Sequence, residues 1–146
     1  MFDSSSFLPS AAMAALTDAR VTDPDFAFRA ALARKRRHRL APAGRLNILA
    51  ADHPARRVTG VGANPLAMAD RRDYLARVLR VLMSEDVDGV MATMDVLEDL
   101  LALDGLARDA GGPPLLDQKL LIASLNRGGL AGACWELDDR DRKSVV

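Results

Sequence analysis

The segment Leu46–Pro54, which reads LNILAADHP, decides the fold class of this sequence. Its apolar part, Leu46–Ala51, is too short for an amphipathic helix and nearly continuous, which predicts a β-strand buried on both faces. The strand is predicted to stop at the polar residues Asp52 and His53, just before Pro54. A short apolar strand with an abruptly polar end is typical of parallel sheets, whose functional groups collect at the carboxyl ends of the strands.

Two further segments have the same strand-like character, namely Gly89–Met94 and Lys119–Leu125. Between the strands the sequence predicts helices. One begins after Asp70, with apolar residues at intervals of three and four, and another begins at Asp95, with Glu98 at capping-box spacing. Strands that alternate with helices indicate right-handed crossovers, so the predicted fold class is α/β with a parallel sheet.

The chain before the first strand is predicted to contain a leader and one helix. Residues 1–22 are rich in serine and alanine without a sustained period, and we expect them to be poorly ordered. A helix is predicted from Asp23, with Pro24 at its first position, to the basic run Arg34–Arg39. We interpret this run as a solvated helix end rather than a nucleic-acid patch, because no aromatic residue interleaves it.

Composition excludes several classes of protein. The 146 residues include 20 acidic and 20 basic side chains, so no net charge attracts nucleic acid or an anionic membrane. The single cysteine, Cys134, excludes an internal disulfide, and with His38 and His53 it provides too few ligands for structural zinc. No apolar stretch approaches the roughly 20 residues that span a bilayer. We therefore expect a cytoplasmic protein without nucleic-acid or membrane partners.

Polar residues that follow the predicted strands are the candidate site residues. Asp52 is a candidate general acid or base, or a partner for an amine; alternatively it caps the following loop. His53 is a candidate ligand of a phosphate or carbonyl oxygen, or else a structural hydrogen-bonding residue. After the third strand, Asn126, Arg127 and Gly128 combine an amide, a cation and accessible backbone, which suits phosphate or carboxylate binding. The alternative there is a glycine turn with a surface arginine.

Three other features are more readily explained by structure than by chemistry. Asp95 is predicted to be a helix N-cap rather than a catalyst. Cys134 is interpreted as a small apolar filler, because no second candidate base lies near it in the sequence. Gly60 and Gly62 do not form a dinucleotide-binding pattern, since no G-x-G-x-x-G follows a strand.

The LNILAADHP segment belongs to a larger set of motifs. Together with GVGANPLAMAD (60–70), DGVMATMDVLEDLL (88–101) and SLNRGGLAGACWELDDR (124–140), it resembles the amino-terminal part of a bacterial TIM-barrel aldolase-like family. That family is related to deoxyribose-phosphate aldolase and class I fructose-bisphosphate aldolase. The resemblance covers residues 23–140 and implies a partial (β/α)8 barrel, in which the first three strands are joined by helices.

The resemblance also implies an activity. It implies a class I, Schiff-base aldolase, a carbon–carbon lyase that acts without a metal or other cofactor on a small, phosphorylated sugar or keto acid in carbohydrate or inositol catabolism. It leaves open a homo-oligomeric parent protein. Asp52 matches the family's aspartate that assists the carbon–carbon bond chemistry, although Pro54 replaces the family's glycine. The reactive lysine is implied on about the sixth strand, whereas Lys35, Lys119 and Lys143 lie at no strand's carboxyl end.

The length of the chain limits this interpretation. Three predicted strands are fewer than the eight of a TIM barrel, which takes about 250 residues. We therefore expect residues 23–140 to be an amino-terminal fragment that is inactive alone and lacks the Schiff-base lysine, and residues 141–146 to be a non-native tail. The alternative function is a small non-enzymatic α/β module that binds a phosphorylated ligand or a protein partner through residues 126–129.

Overall fold

The computed structural model describes residues 3–124, in which three helices precede alternating strands and helices. The helices are α1 (Ser4–Phe7), α2 (Ser10–Thr22), α3 (Phe26–Ala33), α4 (Arg71–Leu82) and α5 (Met94–Asp109). The strands are β1 (Ile48–Ala50), β2 (Gly89–Ala92) and β3 (Leu120–Ala123), and a 3-10 turn spans His53–Arg56. Across residues 3–124, no helix has both the length and the apolar character needed to cross a membrane.

The three strands form one parallel sheet in the order β1-β2-β3. Leu49 lies opposite Val90 in the first pair, and Val90 lies opposite Leu121 in the second. This arrangement confirms the predicted α/β class with a parallel sheet. In the described part of the chain the sheet is open, with β1 and β3 as its edges.

The two faces of the sheet differ in burial. One face contributes alternate residues to the hydrophobic core, which the apolar sides of α4 and α5 complete; the sheet residues on this face are Leu49, Ala51, Val90, Ala92, Leu121 and Ala123. The opposite face carries Ala50, Met91 and Ile122 in register with one another. Ile122 is 39% exposed there. The helices therefore cover one face, while the other presents apolar side chains to solvent.

The start of α4 follows the prediction closely. Asp70 is its N-cap, and the Asp70 carboxylate accepts a hydrogen bond from the Asp73 amide at 2.8 Å. Asp73 in turn accepts from Nε of Arg77 at 2.8 Å, one helical turn later. The buried residues of α4 are Tyr74, Leu75, Ala76, Val78, Leu79 and Leu82, which include the residues expected from the spacing of three and four.

Asp104 fixes the connection between α5 and β3. Its fully buried carboxylate accepts hydrogen bonds from the amides of Leu115 and Leu116 at 2.6 and 3.0 Å, and Nε of Arg108 lies 2.8 Å away. A buried carboxylate needs such donors, because an unpaired charge in the interior is very costly. The loop is therefore attached to α5 before it enters the strand.

The predicted poorly ordered leader is wrong for the residues described. Most of residues 3–22 lie in α1 and α2, and Leu8 and Leu16 are buried in the core. Alanine is the strongest helix former, so an Ala-rich segment needs few apolar contacts to be helical. The prediction considered only apolar periodicity, which is weak in α2.

The predicted helix boundaries near residue 23 and residue 34 also need correction. Asp23 ends α2, whereas Asp25 precedes the first residue of α3. The basic run is not a helix end, because Arg34 has an extended backbone and the chain from there to β1 is irregular. The run instead lies along the sheet, as its contacts below show.

Strand burial differs from the prediction as well. β1 was expected to be buried on both faces, but among residues 3–124 it is an edge strand whose residues are half-buried or exposed. Only the central strand β2 is largely buried. Apolar character alone does not reveal which strand lies in the middle, because that depends on the pairing order.

Candidate functional site

Asp52 lies at the carboxyl edge of the sheet, directly after β1. The strand continues in a hydrogen bond from the Ala51 amide to the Met91 carbonyl at 2.7 Å, and Asp52 follows it with 6% exposure. The 3-10 turn then brings Arg56 back, so that its Nε donates to Oδ2 of Asp52 at 2.8 Å. A nearly buried carboxylate is thus held at the strand end by one partly exposed guanidinium.

His53 stands beside Asp52 but does not bond to it. Its Nδ1 is 3.9 Å from Oδ1 of Asp52, which is too long for a hydrogen bond, and 48% of its side chain is exposed. Pro54 follows it at the start of the 3-10 turn, where a missing amide proton is tolerated. The structure therefore brings Asp52 and His53 together, with the imidazole open to solvent.

Tyr74 supports the strand end from α4. Its buried hydroxyl donates a hydrogen bond to the Ala51 carbonyl, one residue before Asp52. Burial raises the pKa of Tyr74 to about 12, so the phenol keeps its proton at neutral pH. The sequence identified Tyr74 only as an apolar helix position, and its hydroxyl contact is a role that periodicity could not indicate.

Arg71 joins the first turns of α4 and α5 at the same edge. Its Nε donates to Oδ2 of the buried Asp99 at 2.8 Å, and its Nη1 lies 3.1 Å from Oδ2 of Asp95. Asp99 also receives a bond from Arg20 of α2. This network ties three helices together at the carboxyl edge.

Asp95 is not the N-cap that the sequence predicts. Thr93 is the cap residue and Asp95 is the second residue of α5. Burial acts to raise the pKa of Asp95, but the Thr93 hydroxyl and the Arg71 charge outweigh it, so the pKa is lowered. Asp95 is therefore a charged partner of Arg71, which agrees with a structural rather than catalytic interpretation.

The remaining predicted site residues cannot be placed against this edge. Asn126, Arg127 and Gly128 lie outside the described residues, as do Cys134 and Lys143 and the segments 125–140 and 141–146. The sequence analysis missed Arg56, Arg71 and Tyr74 at the carboxyl edge. The sequence did contain a signal for Arg56. Pro54 indicates that a helical turn begins just after Asp52, and such a turn brings Arg56, four residues after Asp52, back to its carboxylate.

The described lysines lie away from this edge. Nζ of Lys119, just before β3, donates to the carbonyls of Ser84 and Val87 at 2.8 and 2.6 Å, at the amino edge of the sheet. Burial is the main reason that the pKa of Lys119 is lowered. Lys35 is exposed in the basic run. Both positions agree with the expectation that neither lysine lies at a strand's carboxyl end.

Two cavities of about 390 and 460 Å³ lie near the amino edge and share Arg37 and Gln118 in their walls. Neither is lined by Asp52 or its neighbours. Within residues 3–124 there is no group of three or more histidine, cysteine or acidic side chains that could hold a metal ion. The geometry offers a nearly buried carboxylate oriented by Arg56, with a solvent-exposed imidazole beside it, and no metal site among the described residues.

Comparison with known proteins gives one family and one solved structure. A sequence model described as Cgl0159-like matches residues 44–143, which is more than half of the chain. The crystal structure of Cgl0159 from Corynebacterium glutamicum is 40% identical and superposes with a TM-score of 0.70 over 84% of this chain. The match covers 38% of that protein, so the present chain spans well under half of its relative's length. No curated protein matches significantly, and neither of the two names states an activity.

Proposed function

Because the chain belongs to the Cgl0159-like family, we propose that it forms the amino-terminal part of a (β/α)8 barrel whose full-length protein is a class I aldolase. The proposed substrate is a small, phosphorylated sugar or keto acid. The observation that carries the proposal is the nearly buried carboxylate of Asp52 at the carboxyl end of β1. That is the end of a parallel strand at which barrel enzymes place their reacting groups.

The shape of the sheet supports the barrel. Each strand pairs with the strand before it in the sequence, as the strands of a (β/α)8 barrel do. The helices cover one face, and the face with Ala50, Met91 and Ile122 is the one that would point into a closed barrel. Small and branched apolar residues suit that position, because barrel interiors are packed with side chains.

The proposed role of Asp52 is proton transfer. In aldol cleavage a base takes the proton from the substrate hydroxyl, the adjacent carbon–carbon bond breaks, and its electron pair moves toward the Schiff base formed with a lysine. Asp52 is the proposed base. Nε of Arg56 donates to its carboxylate at 2.8 Å and orients it, and the exposed His53 is a candidate to bind the substrate's oxygen.

The Schiff-base lysine is proposed to come from a later strand of the full-length protein. Lys119 donates to two carbonyls at the amino edge, and Lys35 lies in the basic run before β1. Neither occupies the edge that carries Asp52. In this proposal the 146-residue chain contributes the base and part of the pocket, and it is inactive by itself.

Borohydride trapping of the full-length protein tests the proposal. The protein is incubated with dihydroxyacetone phosphate or with pyruvate, reduced with sodium borohydride, and analysed by mass spectrometry. We expect a covalent adduct on one lysine outside this chain. If neither ketone gives an adduct, or if the adduct is on Lys35 or Lys119, the proposal is wrong.

Two variants of the full-length protein distinguish proton transfer by Asp52 from formation of the Schiff base on the lysine. Asp52→Asn should still form the adduct but lose about 10²–10⁴-fold in carbon–carbon bond cleavage, the usual contribution of a general base. Arg56→Gln keeps the carboxylate and should lose much less. Equal losses in the two variants would indicate that the ion pair matters for folding and not for proton transfer.

A further inference from the structure

The basic run Arg34–Arg39 crosses the amino edge of the sheet, on the side opposite the proposed active site. Arg34 donates to the carbonyl of Lys119, and the Gln118 amide donates to the Lys35 carbonyl at 2.9 Å. Nη2 of Arg37 donates to Oδ1 of Asp88 at 2.8 Å, just before β2. The run therefore follows the entrances to β2 and β3 and is held there by tertiary contacts.

These contacts leave three basic residues of the run in the wall of a cavity. The cavity, of about 460 Å³, is lined by Arg37, His38, Arg39, Pro42 and Gln118. Every charged or titratable residue in this lining is basic. The neighbouring cavity of about 390 Å³ is different, because Glu85 and Asp117 contribute opposite charge to its wall.

The basic side chains in the larger cavity differ in how they are held. Arg37 is fixed, because one terminal nitrogen binds Asp88 and the other donates to the Leu40 carbonyl at 3.0 Å. Within residues 3–124, His38 and Arg39 have no such hydrogen bond or ion pair. A basic wall in which two side-chain donors have no protein partner among the described residues favours the binding of an anion.

We propose that this cavity binds the phosphate group of a small phosphate monoester, at a site separate from the carboxyl edge. Its volume falls in the range of small-molecule pockets, about 300–1,000 Å³, and so accommodates the phosphate with a few carbon atoms attached. Arg39 forks onto the phosphate oxygens, and the His38 ring donates through its N–H. The Gln118 side-chain amide, in the same wall, is available to the oxygens of the organic part.

Two of the acidic groups nearby, Asp88 and Asp117, have other partners. Asp88 is engaged by Arg37 and by the Asn47 amide at 2.7 Å. Asp117 accepts from the Lys35 amide at 2.9 Å and from Arg108 at 2.5 Å. Neither carboxylate pairs with His38 or Arg39, and none of the described acidic residues lines this cavity. A bound anion would therefore not compete with a carboxylate for these two side chains.

Isothermal titration calorimetry with the full-length protein at low ionic strength tests the proposal. The probe is glycerol 3-phosphate, with glycerol as its uncharged match and sulfate as a simple dianion. Arg39→Gln removes a cavity residue, whereas Arg36→Gln removes an exposed cation of the same run that does not line the cavity. Circular dichroism of each variant confirms that the helices remain.

We expect glycerol 3-phosphate to bind more tightly than sulfate and glycerol not to bind. Arg39→Gln should weaken binding about 10-fold, as for loss of a hydrogen bond to a charged group. Arg36→Gln and Asp52→Asn should leave binding unchanged, the latter because Asp52 is at the other edge of the sheet. Equal weakening in both arginine variants, or equal binding of sulfate, would show diffuse attraction and overturn the proposal. Weakening by Asp52→Asn alone would assign the phosphate to the proposed active site instead.

Binding of a fluorescent single-stranded oligonucleotide tests the alternative that the basic run is a surface for polyanions. If His38 and Arg39 engage one phosphate group at a time, an oligonucleotide gains little over a monoester, and we expect no oligonucleotide binding that survives moderate salt. Oligonucleotide binding that depends on Arg36 and Arg39 alike would mean that the run is a polyanion surface, which would also overturn the proposal.

Discussion

The hydroxyl of Tyr74 donates a hydrogen bond to the carbonyl of Ala51, and both groups are buried. This contact joins α4 to Ala51, the residue between β1 and Asp52. Because Ala51 immediately precedes Asp52, fixing the Ala51 carbonyl also fixes the backbone from which the carboxylate of Asp52, the proposed base, extends. The position of Asp52 therefore depends on the side chain of Tyr74, which lies in the next helix, 23 residues after Ala51 in the sequence.

Replacing Tyr74 with phenylalanine tests the strength of this contact. Tyr74→Phe leaves the buried Ala51 carbonyl without its donor, and we expect the free energy of unfolding to fall by about 1–3 kcal/mol. Denaturant unfolding measures the change. Thr59→Val is the matched control, because it removes a hydroxyl that donates to the Pro65 carbonyl at an exposed site at 2.9 Å. The control should lose less than about 1 kcal/mol, and equal losses would contradict the buried contact.

The ionisation of Tyr74 can be followed directly, because it is the single tyrosine of the chain. Burial raises its pKa from 10.0 to about 12, so the folded state holds the phenol proton more tightly than the unfolded chain does. The resulting stability is complete below pH 10 and is lost as the pH rises toward 12. Ultraviolet absorbance of the phenolate should show the higher midpoint in buffer and the ordinary one in denaturant. Identical midpoints would mean that the hydroxyl is exposed.

Asp99 should contribute more to stability than the carboxylate next to it. Asp99→Asn removes the charge that Arg20 and Arg71 share, and we expect a loss of about 1–3 kcal/mol. The loss is limited because the two guanidinium side chains are 41% and 37% exposed and remain hydrated. Glu98→Gln removes an exposed partner of Arg20 and should cost below about 1 kcal/mol. Thermal or denaturant unfolding ranks the two variants, and the reverse order would refute the network.

Gly89 allows the close approach of β2 and β3. A Cβ atom at this position would lie 2.6 Å from Cβ of Leu120, its partner in the register. Gly89→Ala should therefore destabilise the fold by about 1–3 kcal/mol, as overpacking does. Gly60→Ala is the control, because the nearest atom to its new Cβ is 3.5 Å away. We expect the control to change the unfolding free energy by less than about 0.5 kcal/mol.

Local signals predicted the parts of the fold that local contacts determine. Asp70 marked the start of α4 because a cap and its amide are three residues apart. The polar end of β1 located Asp52 because strand ends are visible as changes of polarity. Gly111, just after α5, has a positive φ of 74°, the left-handed conformation that favours glycine at the end of a helix.

Long-range contacts account for what the sequence could not predict. Arg34 leaves the helix because its guanidinium reaches the Lys119 carbonyl, 85 residues later. The hydroxyl of Tyr74 and the guanidinium of Arg71 reach the carboxyl edge only after α4 packs on the sheet. The edge position of β1 likewise follows from the pairing order, which apolar content does not encode.

The order of the strands has a consequence for synthesis on the ribosome. Since β2 pairs with β1 and β3 pairs with β2, each new strand meets a partner that has already been made, and the sheet can grow from its first edge as the chain emerges. The helices at the amino terminus behave differently. Arg20 of α2 donates to Asp99 of α5, 79 residues later, so α2 completes its docking only after α5 has been synthesised. A nascent chain arrested before α5 would therefore carry α2 and α3 without the helix on which both of them pack.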